Sequence, residues 1–267
     1  MIVVTGATGN VGQPLVRLLA SAGEKVTAVS RRIVDEPPGV VARQGDLSEP
    51  ETLRPAFEGA SAVFLMVPGD FRGALEPVLA LAGDARVVLL SSQGVGTGRH
   101  PAVFEEAVRG SGPQWTVLRP GGFASNAFRW AESVRTRRTI AAPFGDVALP
   151  VIDPADIAAV AAAALLDPSH AGHTYELTGP APVTPREQAA AIGEALGEPV
   201  DFVSQTREEA RAVMLGFMPP EVADATLDIL GAPTAAEQRV SPDVEKVLGR
   251  PPRPFADWAS RFAGAFK

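Results

Sequence analysis

Three glycines, Gly6, Gly9 and Gly12, follow the β-branched run Ile2-Val3-Val4 at intervals of three residues. Where a strand turns into a helix, glycine can adopt positive φ, let the backbone approach a ligand closely, and let the helix pack on the turn without an intervening Cβ. The helix start adds unpaired N–H groups and the positive end of its dipole, which together favour a phosphate anion. Asn10 and Val11 supply the nearest amides, and Thr8 places a hydroxyl in the same bend. The spacing is GxxGxxG rather than GxGxxG, a variant of the dinucleotide turn, and it predicts a diphosphate held by Gly6, Thr8, Gly9, Asn10, Val11 and Gly12.

The end of the second strand decides which dinucleotide fits. An acidic residue there would bond the adenosine ribose of NAD, whereas this chain has "VSRR", with Arg31 and Arg32. Guanidinium groups pair with a 2′-phosphate through planar, charge-assisted bonds, so NADPH is expected over NADH, unless the two arginines only solvate a surface loop. Asp46 and Leu47 follow the third strand in "GDLSEPET". The Asp46 carboxylate either reaches the adenine or helps to cap the next helix.

Around these residues, short apolar strands alternate with helical patterns over the first 120 residues: "IVV", "QPLVRLLASAG", "VTAVS", "EPETLRPAF", "AVFLMV", "RGALEPVLALAG", "VVLLSS", "HPAVFEEAVRGSG", "TVLRP". That rhythm predicts an α/β, doubly wound parallel sheet, a Rossmann fold, with helices on both faces. Ligands collect at the carboxyl edge of such a sheet, which adds Val67, Pro68, Ser91, Pro120 and Phe123 to the expected cofactor contacts. Ser48 with Glu51, and Thr184 with Glu187, fit capping boxes. After Pro120, "GGFASNAFRWAESVRTRRTIAAPFGDVALPVI" shows no clear period and is expected to be an irregular cover over a site. Residues 1–120, completed by about 145–180, are assigned to the dinucleotide-binding core. Residues 121–144 and 181–267 are assigned to a smaller, mostly helical substrate-binding region.

A chain of 267 residues with 46% hydrophobic content can bury a large core. Its net charge of −7 argues against a nucleic-acid partner, and the absence of cysteine excludes disulfides and thiolate chemistry. "IAAVAAAALL" is half a membrane span and is expected as a buried helix. With no signal-like segment ahead of the glycines, a cytoplasmic protein is expected, without membrane attachment and compatible with a homodimer.

With "TGATGNVG", "SRR", "GDL", "LLSSQGVG", "WTVLRPGGF" and "LTGP" in order, the chain resembles the NmrA-like branch of the atypical short-chain dehydrogenase/reductases over nearly its whole length. The segment "GSGPQWTVLRPGGFASN" is similar to the one that passes the nicotinamide in that family. The resemblance implies an NADP-binding domain and a C-terminal part that shapes a substrate cleft. It does not imply one reaction, since the branch is similar both to reductases of quinones and phenolics and to redox-sensing regulators.

The family's usual proton donors are missing. The single tyrosine is Tyr175 and the lysines are Lys25, Lys246 and Lys267, so no Tyr-x-x-x-Lys pair exists. The lysine that isoflavone-reductase-like members carry after the fifth strand is absent from "HPAVFEEAVRGSG". A ketone would yield an alkoxide that needs an acid, whereas a quinone yields a far weaker base. The expected substrate is therefore a quinone-like or conjugated aromatic small molecule, which also suits Phe71, Phe104, Phe123, Phe128, Trp130 and Phe144 if these do more than pack. Ser92 and His100 are the remaining candidates for catalysis. Each has a plain structural alternative, as a strand-end turn former and a helix-start surface residue. Arg135, Arg137 and Arg138 either meet an anionic substrate or form a solvated turn. His170 and His173 lack companion carboxylates for a metal site. Two other readings share the missing donor: an NADP(H)-binding redox sensor acting through a protein partner, and a tailoring enzyme of secondary metabolism.

Overall fold

The computed structural model describes residues 1–112 and 114–267; Pro113, within the quoted GSGPQWTVLRPGGFASN, lies outside the described residues. Nine strands are labelled here: β1 Ile2–Thr5, β2 Val26–Ser30, β3 Val40–Gln44, β4 Ala62–Met66, β5 Arg86–Leu90, β6 Trp115–Pro120, β7 Thr139–Pro143, β8 His173–Leu177 and β9 Asp201–Gln205. The chain divides into one unit of Met1–Pro120, Pro154–Leu177 and Asp243–Arg250, and another of Gly121–Asp153, Thr178–Pro242 and Pro251–Lys267.

The first unit is a seven-stranded, wholly parallel sheet in the order β3-β2-β1-β4-β5-β6-β8. It is the doubly wound Rossmann arrangement, with the order reversing between β1 and β4. Strand side chains alternate between faces. Val3, Val63, Leu65, Val87, Leu89 and Val117 are buried in one core with residues of the helical segments Arg54–Phe57, Glu76–Ala82 and Val103–Gly110. The helices Gly12–Ser21 and Pro154–Leu166 pack on each other and on the sheet. The second of these is apolar on nearly all sides and is buried, as expected of "IAAVAAAALL". Among the described residues, no helix is long and apolar enough to cross a membrane.

Asp243–Leu248, assigned to the cover region by sequence, packs on Pro154–Leu166 and β8 instead. Charge explains this placement. Asp156 is fully buried and takes Arg250 Nη2 at 2.7 Å, while Asp243 accepts the Glu176 amide at 3.0 Å. Neither partner is visible in local spacing.

The second unit holds a two-stranded parallel sheet, β7-β9, and helices that include Ala131–Arg137, Pro185–Leu196, Arg207–Met214, Pro220–Gly231 and Phe255–Arg261. Residues 121–151 are not irregular throughout. They form the 3-10 turn Ala124–Trp130, the helix Ala131–Arg137 and β7. Ala124, Ala127, Trp130, Ala131 and Val134 recur every three or four residues and are buried, but three of the five are alanines, which carry a weak periodic signal. Phe128 packs against Trp258 with ring centroids 4.9 Å apart. Arg135 bonds the Ala265 carbonyl at 2.7 Å. Arg138 ends its helix in the left-handed region and bonds Val134 and Phe266 carbonyls and the Glu198 carboxylate. These two arginines tie down the chain's end.

The Thr184–Glu187 capping box forms, joined by Thr206–Glu209 and Thr234–Glu237. Ser48 with Glu51 does not. Pro50–Leu53 begins after Glu49, and the Ser48 amide donates to Asp46 Oδ1 at 2.8 Å.

One side chain joins the two strands on either side of the reversal. Thr5 Oγ1 donates to the Phe64 carbonyl at 3.1 Å and accepts the Met66 amide at 2.9 Å, fully buried. Thr5→Val, close in shape, should lower unfolding free energy by about 1–3 kcal/mol in urea denaturation, because it leaves the Met66 amide without its acceptor.

Candidate cofactor and substrate sites

Gly6 has φ +62°, and a Cβ there would meet the Met66 side chain. A Cβ on Gly12 would collide with the Gly6 carbonyl oxygen, and one on Gly9 would stand only 3.2 Å from the same atom. The helix therefore starts directly on the turn. Its first backward bonds run from Gln13 to the Gly9 carbonyl (3.0 Å) and from Leu15 to the Val11 carbonyl (3.1 Å). The amides of Val11 and Gly12 lie ahead of the first such bond and have no acceptor within the helix. The bend thus fits an anionic diphosphate by shape and by donor supply. Thr8 and Asn10 stand exposed on it, and the Ala7 amide pins it to the Val29 carbonyl at 3.1 Å.

Because the strands are parallel and in register, the other expected cofactor contacts of this unit gather at the same carboxyl edge. Arg31 and Arg32, just past β2, are exposed. Arg31 Nη1 meets Asp70 Oδ2 at 2.8 Å, with side chains 59% and 66% exposed, so the pair contributes little stability and can be exchanged for another anion. Asp46 holds its loop together: its carboxylate accepts from Ser48, and its amide donates to Thr52 Oγ1 at 3.0 Å. Leu47 is buried and Pro120 ends β6. Val67, Pro68 and Ser91 line one small cavity of about 220 Å³ past β4 and β5.

The Ser91 hydroxyl donates to Glu105 Oε1 at 2.6 Å. Glu105, on the helix that lacks the lysine, is 1% exposed and also takes Arg119 at 2.9 and 2.7 Å and Arg109 at 2.9 Å. Burial alone would raise its pKa. The hydrogen bonds from Arg119 and Ser91 and the neighbouring guanidinium charges outweigh burial and hold the carboxyl below its ordinary value. Sequence spacing shows only the Glu105–Arg109 helical pair, since Arg119 comes from another strand.

Ser92 caps the short helix Gln93–Gly96, accepting the Gly94 amide at 3.1 Å, and among the described residues its hydroxyl proton has no acceptor. His100 is exposed, with its ring against Gly94. Tyr175 sits on β8, its hydroxyl 2.8 Å from His170 Nδ1 and its ring stacked on His173, in a polar cluster at the sheet's far edge.

The second unit has its own cavity of about 440 Å³. Its wall is largely apolar, with Phe123, Trp130, Leu149, Val151, Met214 and Phe217 prominent. Of the six aromatics singled out in the sequence, Phe123 and Trp130 line it, whereas Phe71 and Phe104 pack together at 5.8 Å in the first unit and Phe128 joins the Trp258 cluster. Phe144 packs in the small core of Met214 and Leu227.

A family model described as NAD(P)H-binding matches residues 6–168, from the first turn glycine through the Pro154–Leu166 helix. The chain belongs to that NAD(P)H-binding family. This member is 38% identical to a (4-alkanoyl-5-oxo-2,5-dihydrofuran-3-yl)methyl phosphate reductase of Streptomyces griseus, over 100% of this chain and 99% of the relative. It is 36% identical to an NAD(P)H azoreductase of Xenophilus azovorans, with the same coverage of each. Its fold matches an NADPH-dependent quinone oxidoreductase of Escherichia coli solved with NADPH, at TM-score 0.79 and 24% identity over 98% of this chain and 99% of that one. NmrA with NADP shares the fold at TM-score 0.75, 21% identity, 98% and 95% coverage, in agreement with the NmrA-like resemblance. As a member of that family, the protein takes NAD(P)H as its cofactor.

Glu105 has a pH signature. With its carboxyl depressed in the fold, the stabilisation is complete above the ordinary value of 4.5 and is lost as pH falls through the folded value. Urea melts should therefore show stability falling on the acid side. Glu105→Gln should cost about 3 kcal/mol at neutral pH, by leaving the partly buried Arg119 and Arg109 charges uncompensated, and should flatten that acid limb.

Proposed function

We propose that the protein uses NADPH to reduce a quinone-like or otherwise electron-poor conjugated small molecule. The observation that carries this reading is the apolar, 440 Å³ cavity of the second unit in a chain that has no Tyr-x-x-x-Lys pair and no lysine on the Val103–Gly110 helix. A cavity of that size and polarity suits a flat unsaturated ring. The relatives' names point the same way, to an alkanoyl-oxo-dihydrofuran, azo compounds and quinones.

When bound, the reduced nicotinamide supplies a hydride to such an acceptor. The chain's own residues bind and orient. The Val11 and Gly12 amides hold the diphosphate, with Gly6, Thr8, Gly9 and Asn10 shaping its cradle. Arg31 and Arg32 take the 2′-phosphate, Arg31 giving up Asp70 to do so, and this selects NADPH over NADH. Leu47, Val67, Pro68 and Pro120 offer apolar contact, while Asp46 keeps its loop in place. Ser91 keeps the Val103–Gly110 helix on the sheet edge through Glu105. Phe123 and Trp130 receive the acceptor's ring. Ser92, whose hydroxyl proton is uncommitted, is the candidate donor to a carbonyl oxygen. Since a hydroquinone oxygen is a weak base, water can deliver the final proton. His100 is better read as a packing residue for Gly94.

The direct test mixes the protein with NADPH and a panel of quinones and follows the nicotinamide absorbance; no acceptor-dependent loss across the panel would overturn the reading. Ala141→Phe, which intrudes on the cavity, should cut kcat/KM for an accepted quinone by about tenfold or more and leave NADPH affinity unchanged.

Replacing both Arg31 and Arg32 by Ala should raise the Kd for NADPH by about tenfold or more and leave that for NADH nearly unmoved, by calorimetry. Equal losses for the two coenzymes would remove the arginines' assigned role.

A further inference from the structure

Arginines of the second unit are generally spoken for. Arg138 pairs with Glu198, Arg186 with Asp146, Arg207 with Asp228, Arg211 with Asp224 and Arg261 with the buried Asp153. Arg129 differs. It lines the 440 Å³ cavity, and among the described residues no carboxylate stands within ion-pair distance of it. Among the described residues, no aspartate or glutamate lines the cavity, and Arg129 is the one charged residue on its wall.

Its guanidinium carbon lies 5.4 Å from the centre of the Trp130 ring, a cation–π contact that orients the group without neutralising it. The residue is solvent-accessible, as a cavity wall must be, yet enough protein surrounds it that burial lowers its pKa. An arginine stays charged even so. A cation beside apolar walls with no counter-charge can exchange its water for an oxyanion, which offers two parallel N–H···O bonds in return.

Resting on the reading that this cavity receives the electron acceptor, we infer that the acceptor carries an oxyanion substituent, such as a phosphate, sulfonate or carboxylate, held by Arg129. The apolar wall then takes the ring, and Asn126, Gln188 and Gln205, the neutral amides also lining the cavity, can bond a carbonyl without competing for the anion. Arg129 becomes a specificity determinant. It selects among unsaturated rings by charge, which an apolar cavity cannot do alone.

A matched pair of probes tests this: naphthalene-2-sulfonate and 2-naphthol, titrated by calorimetry into the full chain saturated with NADP⁺. The sulfonate should bind about tenfold tighter or more, weakening as salt rises. In Arg129→Gln that preference should disappear, and in Arg129→Lys part of it should remain. Thermal unfolding and NADPH affinity of the variants, the latter residing in the other unit, establish that they are folded. Equal affinity of wild type for the two probes, absence of sulfonate binding, or a preference that survives Arg129→Gln would each overturn the inference. Quinone turnover by the wild type is measured in parallel. If turnover is present and the preference absent, only the anionic inference falls. If the preference is present and turnover absent, the reductase reading falls by itself.

Discussion

A helix can begin directly on the end of β1 only because three positions in the bend carry no side chain that interferes. At Gly12 the first helical residue rests against the Gly6 carbonyl and the Ala7 backbone, and at Gly6 the chain takes a left-handed turn over Met66. This contact fixes where the first amides point, and so fixes the candidate anion site. It also stands where the strand order reverses, with β2 on one side of β1 and β4 on the other. The Ala7 amide bonds across to β2, while the Thr5 hydroxyl bonds across to β4. The cradle is thus held from both neighbours by groups that never touch a ligand, and the amides need no reorganisation to receive a diphosphate.

Charge is distributed under a second constraint. Three buried acids each have an arginine from another segment: Glu105 has Arg119, Asp156 has Arg250 and Asp153 has Arg261. Such pairs contribute modest net stability, because desolvation offsets attraction, but breaking one leaves an uncompensated charge. They therefore specify which segments dock. Arg250 brings Asp243–Arg250 to the sheet unit, and Arg119 with Ser91 sets the Val103–Gly110 helix against the ends of β5 and β6. Arg129 has no such carboxylate among the described residues, and it borders the cavity of the second unit.

The chemistry follows from what the chain lacks as much as from what it holds. Tyr175 is committed to His170 and His173 at β8, and the Val103–Gly110 helix carries the buried, ionised Glu105 and no lysine. A depressed carboxyl cannot act as a proton donor near neutrality. Acceptors whose reduced form is a weak base are the ones such a protein can serve, and an apolar cavity is what they require.

By itself the sequence determined the features written in neighbouring residues or in the inventory. Continuous apolar strands alternating with helical periods gave the parallel sheet, the glycine spacing gave the bend, and one tyrosine with three lysines excluded the usual proton-donor pair. The helix Ala131–Arg137 and β7 were obscured because alanines mark a buried face weakly, and Ser48 imitated a cap that Glu49 and Asp46 displaced. Tertiary structure alone decided which charges meet, that Ser91 is bound to Glu105 and Arg31 to Asp70, and that residues from Gly122 to Leu230 close around an apolar space bordered by Arg129. The reason is range. Periodicity and turn chemistry act within a few residues, whereas ion pairs and cavities join residues tens of positions apart, whose proximity no local pattern encodes.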